Sequence, residues 1–299
     1  MMARVAFFGV GLMGEPMARR LLDADHEVVV IAHRSRGGVE RLLARGAVEA
    51  RTPVEAVKRT DVAIMVLPTA AEVEDVLFAS GAAAAMASGY TVVDMGTSFP
   101  PHTRRLAARV IEAGGRFLDA PVTGGPKGAQ DGALTIMVGG DEATLASVRG
   151  LFDAMGRHVF RFGGVGAGHT AKLVQNLIGI IGLAGIAEGF ALAAAAGLDT
   201  GTLFQMLSSS MSNSPALQST VPKVFARGFD DVTFTLDMAY KDIRQATALA
   251  RDMTLPLPAA NGATELFQLA RALGFGAQDS TAVIRGLETL LNVEVRGAT

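Results

Sequence analysis

The 299-residue chain contains no cysteine. That excludes disulfides, a thiol nucleophile and a thiolate-held zinc. The histidines (His26, His33, His102, His158 and His169) do not stand at metal-ligand spacing, so no metal site is expected. Charge is scarce as well. Charged residues make up 19% of the chain, below the usual quarter or so, and the formal net charge is -2. Such a balance gives no general attraction to nucleic acid or acidic lipid, and neither is expected as a partner. Hydrophobic residues reach 49%, so much of the surface is expected to be covered, in a large core or between subunits. A cytoplasmic protein assembling as a homodimer or homotetramer is the expectation.

What is present begins at the N-terminus. Val5-Ala6-Phe7-Phe8 reads as a short buried strand, followed by Gly9-x-Gly11-x-x-Gly14 and an amphipathic helix. That order suits a dinucleotide. Gly9 permits a tight turn, Gly11 lets the backbone approach a pyrophosphate, and Gly14 lets the helix sit close on the strand. Val10, Leu12 and Met13 complete the loop. The helix N-terminus then offers unpaired N–H groups and a partial positive charge to phosphates. The bland alternative is a glycine-rich turn without a ligand. A secretory signal is not expected, because Gly9, Gly11, Gly14, Glu15 and Pro16 interrupt the apolar run.

Strand-like segments at 27–32, 61–67, 91–95, 116–119 and 134–138 alternate with helix-like ones up to about residue 162. The alternation predicts a doubly wound, Rossmann-like parallel sheet covered on both faces. Glycines between 163 and 168 break the pattern, so the expected domains are 1–164 and 165–299. The second shows no clear strand pattern and is expected to be all-α, with helices near 170–196, 200–208, 215–226, 236–252, 258–273 and 279–291. Residues 208–214, rich in serine, read as a loop. The first of these helices is apolar nearly all round and long enough from Leu177 to Leu198 to span a membrane. Glu188 in its middle and the lack of basic flanks argue against a span. A central helix is expected instead, with Gly182, Gly185 and Gly189 letting other helices pack closely.

Three places carry groups able to do chemistry. Lys172 and Asn176, four apart, share a helix face near its N-terminal end. Lys172 either snorkels to solvent or is a partly buried ammonium beside a ligand cleft, its pKa lowered toward the range useful for proton transfer. On the residues alone the first is the default, and ordinary helix-end solvation is expected for His169 and Gln175. Thr123, Gly124 and Gly125 follow a strand-like segment. They offer a hydroxyl and uncovered N–H groups, able to hold a carboxylate or merely to turn the chain. After the second strand stand His33, Arg34, Ser35 and Arg36, where an NAD site usually carries an acid for the ribose. Arg34, Ser35 and Arg36 suit a 2′-phosphate instead, unless they form a solvated basic turn. NADP(H) is therefore the preferred cofactor expected here, with NAD(H) the other option.

The chain resembles the β-hydroxyacid dehydrogenase family. FFGVGLMGEPMARRLL at the N-terminus, DAPVTGGPKGAQDGALTIMVGG from Asp119, GAGHTAKLVQNLI from Gly166 and DMAYKDIRQA from Asp237 carry the resemblance, in the family's order. It implies an oxidoreductase moving a hydride between a nicotinamide cofactor and a small hydroxyacid or semialdehyde. It further implies Lys172 as catalytic lysine, Asn176 as its assistant, and Thr123, Gly124 and Gly125 as the loop holding the substrate carboxylate. Leu67, Pro68 and Thr97 match positions lining the nicotinamide half of the cofactor, and Lys241 the lysine reaching the cofactor side of the cleft. Thr123 departs from the family's usual serine, and Gln175 from a frequent asparagine. An imine reductase and an inactive cofactor-binding scaffold are the alternatives. Lys172 argues against both, since those relatives generally lack it.

Overall fold

The computed structural model describes residues 2–33 and 36–297. The chain divides into two compact units, one up to Lys172 and the other from Leu173.

In the first unit a nine-stranded sheet is built from β1 (Arg4–Phe8), β2 (Glu27–Val30), β3 (Val48–Glu49), β4 (Val62–Met65), β5 (Thr91–Asp94), β6 (Arg116–Asp119), β7 (Val122–Thr123), β8 (Leu134–Gly140) and β9 (Gly156–Gly163). The order is β3-β2-β1-β4-β5-β6-β8-β7, with β9 on β8. Pairs from β3 through β6 are parallel; β8 runs antiparallel to both β6 and β7. The expected parallel sheet thus holds for its dinucleotide-type half and becomes mixed beyond β6.

Successive side chains of a strand point to opposite faces, and both faces here are covered. Val5, Phe7, Val28, Val30, Ile64 and Val93 join one core with Met17 and Leu21 of the helix Gly14–Asp23 and Phe152 of the helix Glu142–Met155. Ala6, Phe8, Val29, Ala63, Met65 and Val92 join the other, with Leu106 and Val110 of the helix Pro100–Glu112. Two-sided burial explains why these strands read as continuous apolar runs. β9 gave no such signal because most of it is exposed, Phe160 and Phe162 included.

The second unit is helical. Its expected helices occur at Thr200–Ser208, Pro215–Phe225, Leu236–Asp252 and Pro258–Ala272, and as a 3-10 turn Ser280–Ala282 leading into Val283–Leu291. Asp199, Ser214 and Thr235 cap three of them, each side chain accepting a backbone N–H from the first turn. The long helix Ala167–Ala195 begins in the first unit and continues through this one.

Among the described residues it is the one helix long and apolar enough to cross a membrane. Its stripe Ile180, Leu183, Ala184, Ala187 and Phe190 packs into the helical core with Leu217, Val221, Ile243 and Phe267. Burying a side chain of the Leu or Phe class is worth about 1.5–3 kcal/mol, enough for this stripe to fix the helix. The expectation that Gly182, Gly185 and Gly189 admit neighbouring helices is not met within the chain. A Cβ at any of the three would meet nothing within 4 Å. They lie on an exposed face, together with Val174, Ile178 and Leu192.

Candidate active site

The parallel strands end together, and their C-terminal ends carry most of the expected site of the first unit. β1 lies between β2 and β4, so the strand order reverses there. Ligands of such sheets bind in the crevice at that switch point. Gly9 follows β1 with φ +95°, a left-handed conformation that favours glycine. A Cβ on Gly9 would lie 2.2 Å from the Val66 carbonyl oxygen, and one on Gly14 would lie 1.9 Å from the Gly9 carbonyl oxygen. Backbone therefore packs on backbone at both glycines. Gly11 differs: a Cβ there would meet nothing within 4 Å. Gly11 and Leu12 are exposed, while Val10 and Met13 are half-buried. A turn left open at Gly11, at a helix N-terminus, fits a pyrophosphate.

Leu67 and Pro68 follow β4, and Thr97 follows β5. These loops touch, since a Cβ on Gly96 would come within 2.3 Å of the Leu67 carbonyl oxygen. His33, after β2, is exposed. Arg34 and Ser35 lie outside the described residues. Arg36 is exposed and engaged: its Nη1 and Nη2 each donate to the Glu49 carboxylate at 3.1 Å, and its Nε lies 3.6 Å from Glu40. A ligand phosphate would have to compete with both acids for it.

Thr123 is half-buried at the end of β7, paired with Thr135 of β8, rather than in a plain loop. Gly124 and Gly125 are exposed, with φ +128° and +63°. Positive φ at both positions favours glycine, and with no Cβ on either the backbone stays open to a ligand.

Lys172 is half-buried in the second turn of the long helix, and Gln175 is exposed as expected. His169 is not solvated at a helix end; it is fully buried. Its Nδ1 is 2.8 Å from the Thr103 hydroxyl and its Nε2 is 3.8 Å from Asp94 Oδ2. The reason is the depth at which the first turn of the helix enters the sheet, where the Asp119 carboxylate accepts N–H bonds from Gly166 and His169 at 2.7 and 2.8 Å. Asp94 and Asp119 are register partners at the ends of β5 and β6. Burial pushes the Asp94 carboxyl above its ordinary value; His169 and the Gly96 N–H, donated at 3.0 Å, act against that.

In the second unit, Asn176 is buried and its amide nitrogen donates to Asp242 Oδ2 at 2.5 Å. Lys241 Nζ lies 3.1 Å from Asp242 Oδ1. Asp242 thus joins Asn176 and Lys241, two residues singled out separately in the sequence. From the sequence alone Asp242 has no assigned role. Its signal was an acid on the apolar face of the helix Leu236–Asp252, between Ala239 and Ala246.

Residues 4–164 match the family model described as the NAD binding domain of 6-phosphogluconate dehydrogenase. Residues 166–287 match the one described as the NAD-binding domain of NADP-dependent 3-hydroxyisobutyrate dehydrogenase. The chain belongs to the β-hydroxyacid dehydrogenase family. It is 35% identical to the 2-hydroxy-3-oxopropionate reductase of Escherichia coli, over 97% of this chain and 98% of that one. The fold matches a 3-hydroxyisobutyrate dehydrogenase from Salmonella typhimurium with a TM-score of 0.87 at 29% identity, covering 95% and 99% of the two chains. It also matches the Mycobacterium tuberculosis 3-hydroxyisobutyrate dehydrogenase, solved with L-serine, with a TM-score of 0.86 at 30% identity, covering 96% and 99%. As a β-hydroxyacid dehydrogenase family member the chain is an NAD(P)-dependent oxidoreductase acting on CH–OH groups.

Proposed function

We propose that this enzyme interconverts a small aldehyde bearing a carboxylate with the corresponding hydroxyacid, that NADP(H) is its preferred cofactor, and that Lys172 handles the proton. The observation that carries the reading lies within the first unit. The strand ending in Asp119 leads on to Thr123, Gly124 and Gly125, and the Asp119 carboxylate holds the start of the helix that bears Lys172. A candidate carboxylate nest and a candidate acid thus hang from one buried residue. The nicotinamide, when bound, supplies the hydride. Negative charge then develops on the carbonyl oxygen, and the Lys172 ammonium both stabilises that charge and gives up a proton. In the oxidation direction neutral Lys172 takes the hydroxyl proton. Asn176, held by Asp242, steadies the same helix face one turn on. The relatives point the same way: the Escherichia coli enzyme is named for 2-hydroxy-3-oxopropionate, a three-carbon aldehyde acid.

The preference for NADP(H) rests on the residues after β2, where no acid opposes a 2′-phosphate, and on Arg34 and Ser35. A hydrogen bond to a charged group is worth about 1.5–3 kcal/mol, or roughly a tenfold to hundredfold preference. Competition from Glu49 for Arg36 pulls toward the lower figure.

Substrate and cofactor are tested together. Glyoxylate and succinic, methylmalonic and tartronate semialdehydes are expected to turn over, and their amides or esters to react at least about tenfold more slowly. Equal rates on the neutral analogues would remove the nest from the reading. The kcat/KM ratio should favour NADPH and fall in Arg34→Ala; an NADH preference in the wild type would overturn that part. The same reading puts the enzyme in the cytoplasm, which cell fractionation checks.

We also propose that the enzyme is a homodimer or a homotetramer. Val174, Ile178, Gly182, Gly185, Gly189 and Leu192 recur at steps of four and three, so they form one stripe along the long helix. Ile178 is 68% and Leu192 70% exposed in the single chain, and the glycines between them admit close approach by a second copy. Sedimentation should give an oligomer for the wild type and a smaller species for Ile178→Glu. A monomeric wild type would contradict the proposal.

A further inference from the structure

Five polar side chains at the ends of β5 and β6 are wholly buried: Asp94, Ser98, Thr103, Asp119 and His169. The function proposed above draws on Asp119 alone, as the tie between loop and helix, and gives the other four no part. Buried polar groups are costly unless hydrogen-bonded, so the cluster needs a reason.

Its geometry supplies one. Asp119 Oδ1 accepts the Gly166 N–H at 2.7 Å, and Oδ2 accepts the His169 N–H at 2.8 Å. Donors at a helix start have no partner inside the helix, and the helix dipole favours an anion there. Asp119 therefore caps the long helix from another strand, 47 and 50 residues away in sequence. The approach is as close as backbone allows. A Cβ on Gly168 would lie 2.4 Å from the Met137 carbonyl oxygen and 2.6 Å from that of Asp119. One on Gly139 would lie 2.5 Å from Asp119 Oδ1. The His169 ring, 2.8 Å from the Thr103 hydroxyl, blocks rotation of the first turn about the helix axis. Height and rotation are both fixed, and Lys172 stands three residues beyond His169, under one turn on. Ala120 donates to the Asp94 carbonyl at 2.7 Å and Met137 to the Pro121 carbonyl at 2.9 Å, which ties down the segment running from Asp119 toward Thr123.

We propose that Asp119 is a positioning residue: by capping the long helix it sets where the Lys172 ammonium stands relative to the Thr123–Gly125 loop, which its own strand carries. The proposal rests on the reading of Lys172 as proton donor. His169 and Thr103 serve the same purpose by locking the turn.

Asp119→Asn keeps the size but puts an NH2 group where one N–H needs an acceptor. A displacement of about 1 Å at a reacting group can cost on the order of a hundredfold. We therefore expect kcat to fall about a hundredfold in Asp119→Asn while the NADPH dissociation constant, read by fluorescence, stays within about twofold. A double-mutant cycle with Lys172→Ala separates positioning from general weakening. If Asp119 acts through Lys172, Asp119→Asn slows the wild type but not Lys172→Ala. The same rate loss in both backgrounds would overturn the proposal, as would a kcat within about threefold of wild type. Should Asp119→Asn fail to fold, Thr103→Val carries the test, with an expected loss of about threefold to tenfold confined to the background that retains Lys172. A Lys172→Ala enzyme of near wild-type rate would instead sink the reading of Lys172, and this proposal with it. That outcome is recognised because it does not depend on any Asp119 variant.

Discussion

Lys172→Ala is expected to lower kcat by about 10²–10⁴-fold, the usual contribution of a positioned general acid, and to leave NADPH affinity nearly unchanged. The side chain is half-buried, so its loss opens little of either core. The helix that carries it is held independently, by the Asp119 cap at its start and by the stripe from Ile180 to Phe190 further on. Folding and cofactor binding should therefore survive, and the melting temperature should shift by no more than a few degrees. Stopped-flow rates with saturating NADPH report the chemistry, and fluorescence titration reports binding. A variant keeping more than about a tenth of the wild-type rate would show that the proton comes from elsewhere.

The second large effect belongs to the glycine turn, where two neighbouring positions should fail in different ways. Gly14→Ala forces a Cβ to within 1.9 Å of the Gly9 carbonyl oxygen and 3.1 Å of the Phe7 ring. Neither β1 nor the first helix can yield easily, since both faces of the sheet are packed there. Overpacking of this kind costs about 1–3 kcal/mol, and more when backbone must move. The melting temperature and NADPH binding should fall together. Gly11→Ala adds its methyl group to open space, so stability should be unchanged. Cofactor affinity should nonetheless drop at least about tenfold, because the methyl group takes the place where the pyrophosphate approaches. Calorimetry and NADPH titration of the two variants decide the matter. A Gly11→Ala enzyme that binds NADPH like the wild type would move the dinucleotide away from this turn.

The contrast shows what the sequence could and could not say. Gly9, Gly11 and Gly14 were legible because their chemistry is local: a left-handed turn, an open approach and a close crossing. The helices after Leu198 were legible to within a residue or so at most ends, since apolar spacing and the caps Asp199, Ser214 and Thr235 are also local. β3 and β7 escaped notice because two residues carry no periodicity, and β9 because most of it is exposed. The antiparallel turn at β8 depends on chain direction, which apolar composition does not encode. The long helix misled in one respect. Its apolar far side read as buried, yet within one chain that side faces outward.

The buried cluster was the largest omission. Asp94 and Asp119 lie far apart in sequence and meet only through strand register. A signal was present all the same. TVVD and RFLD each end a buried strand on an aspartate, and register partners of adjacent parallel strands point to the same face of the sheet. His169 reads as solvated because it stands at a helix end, beside Gly166 and Gly168. Those glycines instead let the helix press against the sheet, where Gly168 has no room for a Cβ.

The central claim is that this chain moves a hydride onto the aldehyde carbon of a small carboxylate, with the proton coming from Lys172. Deuterium transfer tests it most directly. The wild-type enzyme is mixed with NADPH deuterated at the transferable nicotinamide C4 position and with glyoxylate or a semialdehyde, and the product is examined by NMR. The account requires deuterium on the carbinol carbon of the hydroxyacid, formed quickly by the wild type and orders of magnitude more slowly by Lys172→Ala. No hydroxyacid from any carboxylate aldehyde, or a carbinol carbon carrying hydrogen from solvent, would contradict it.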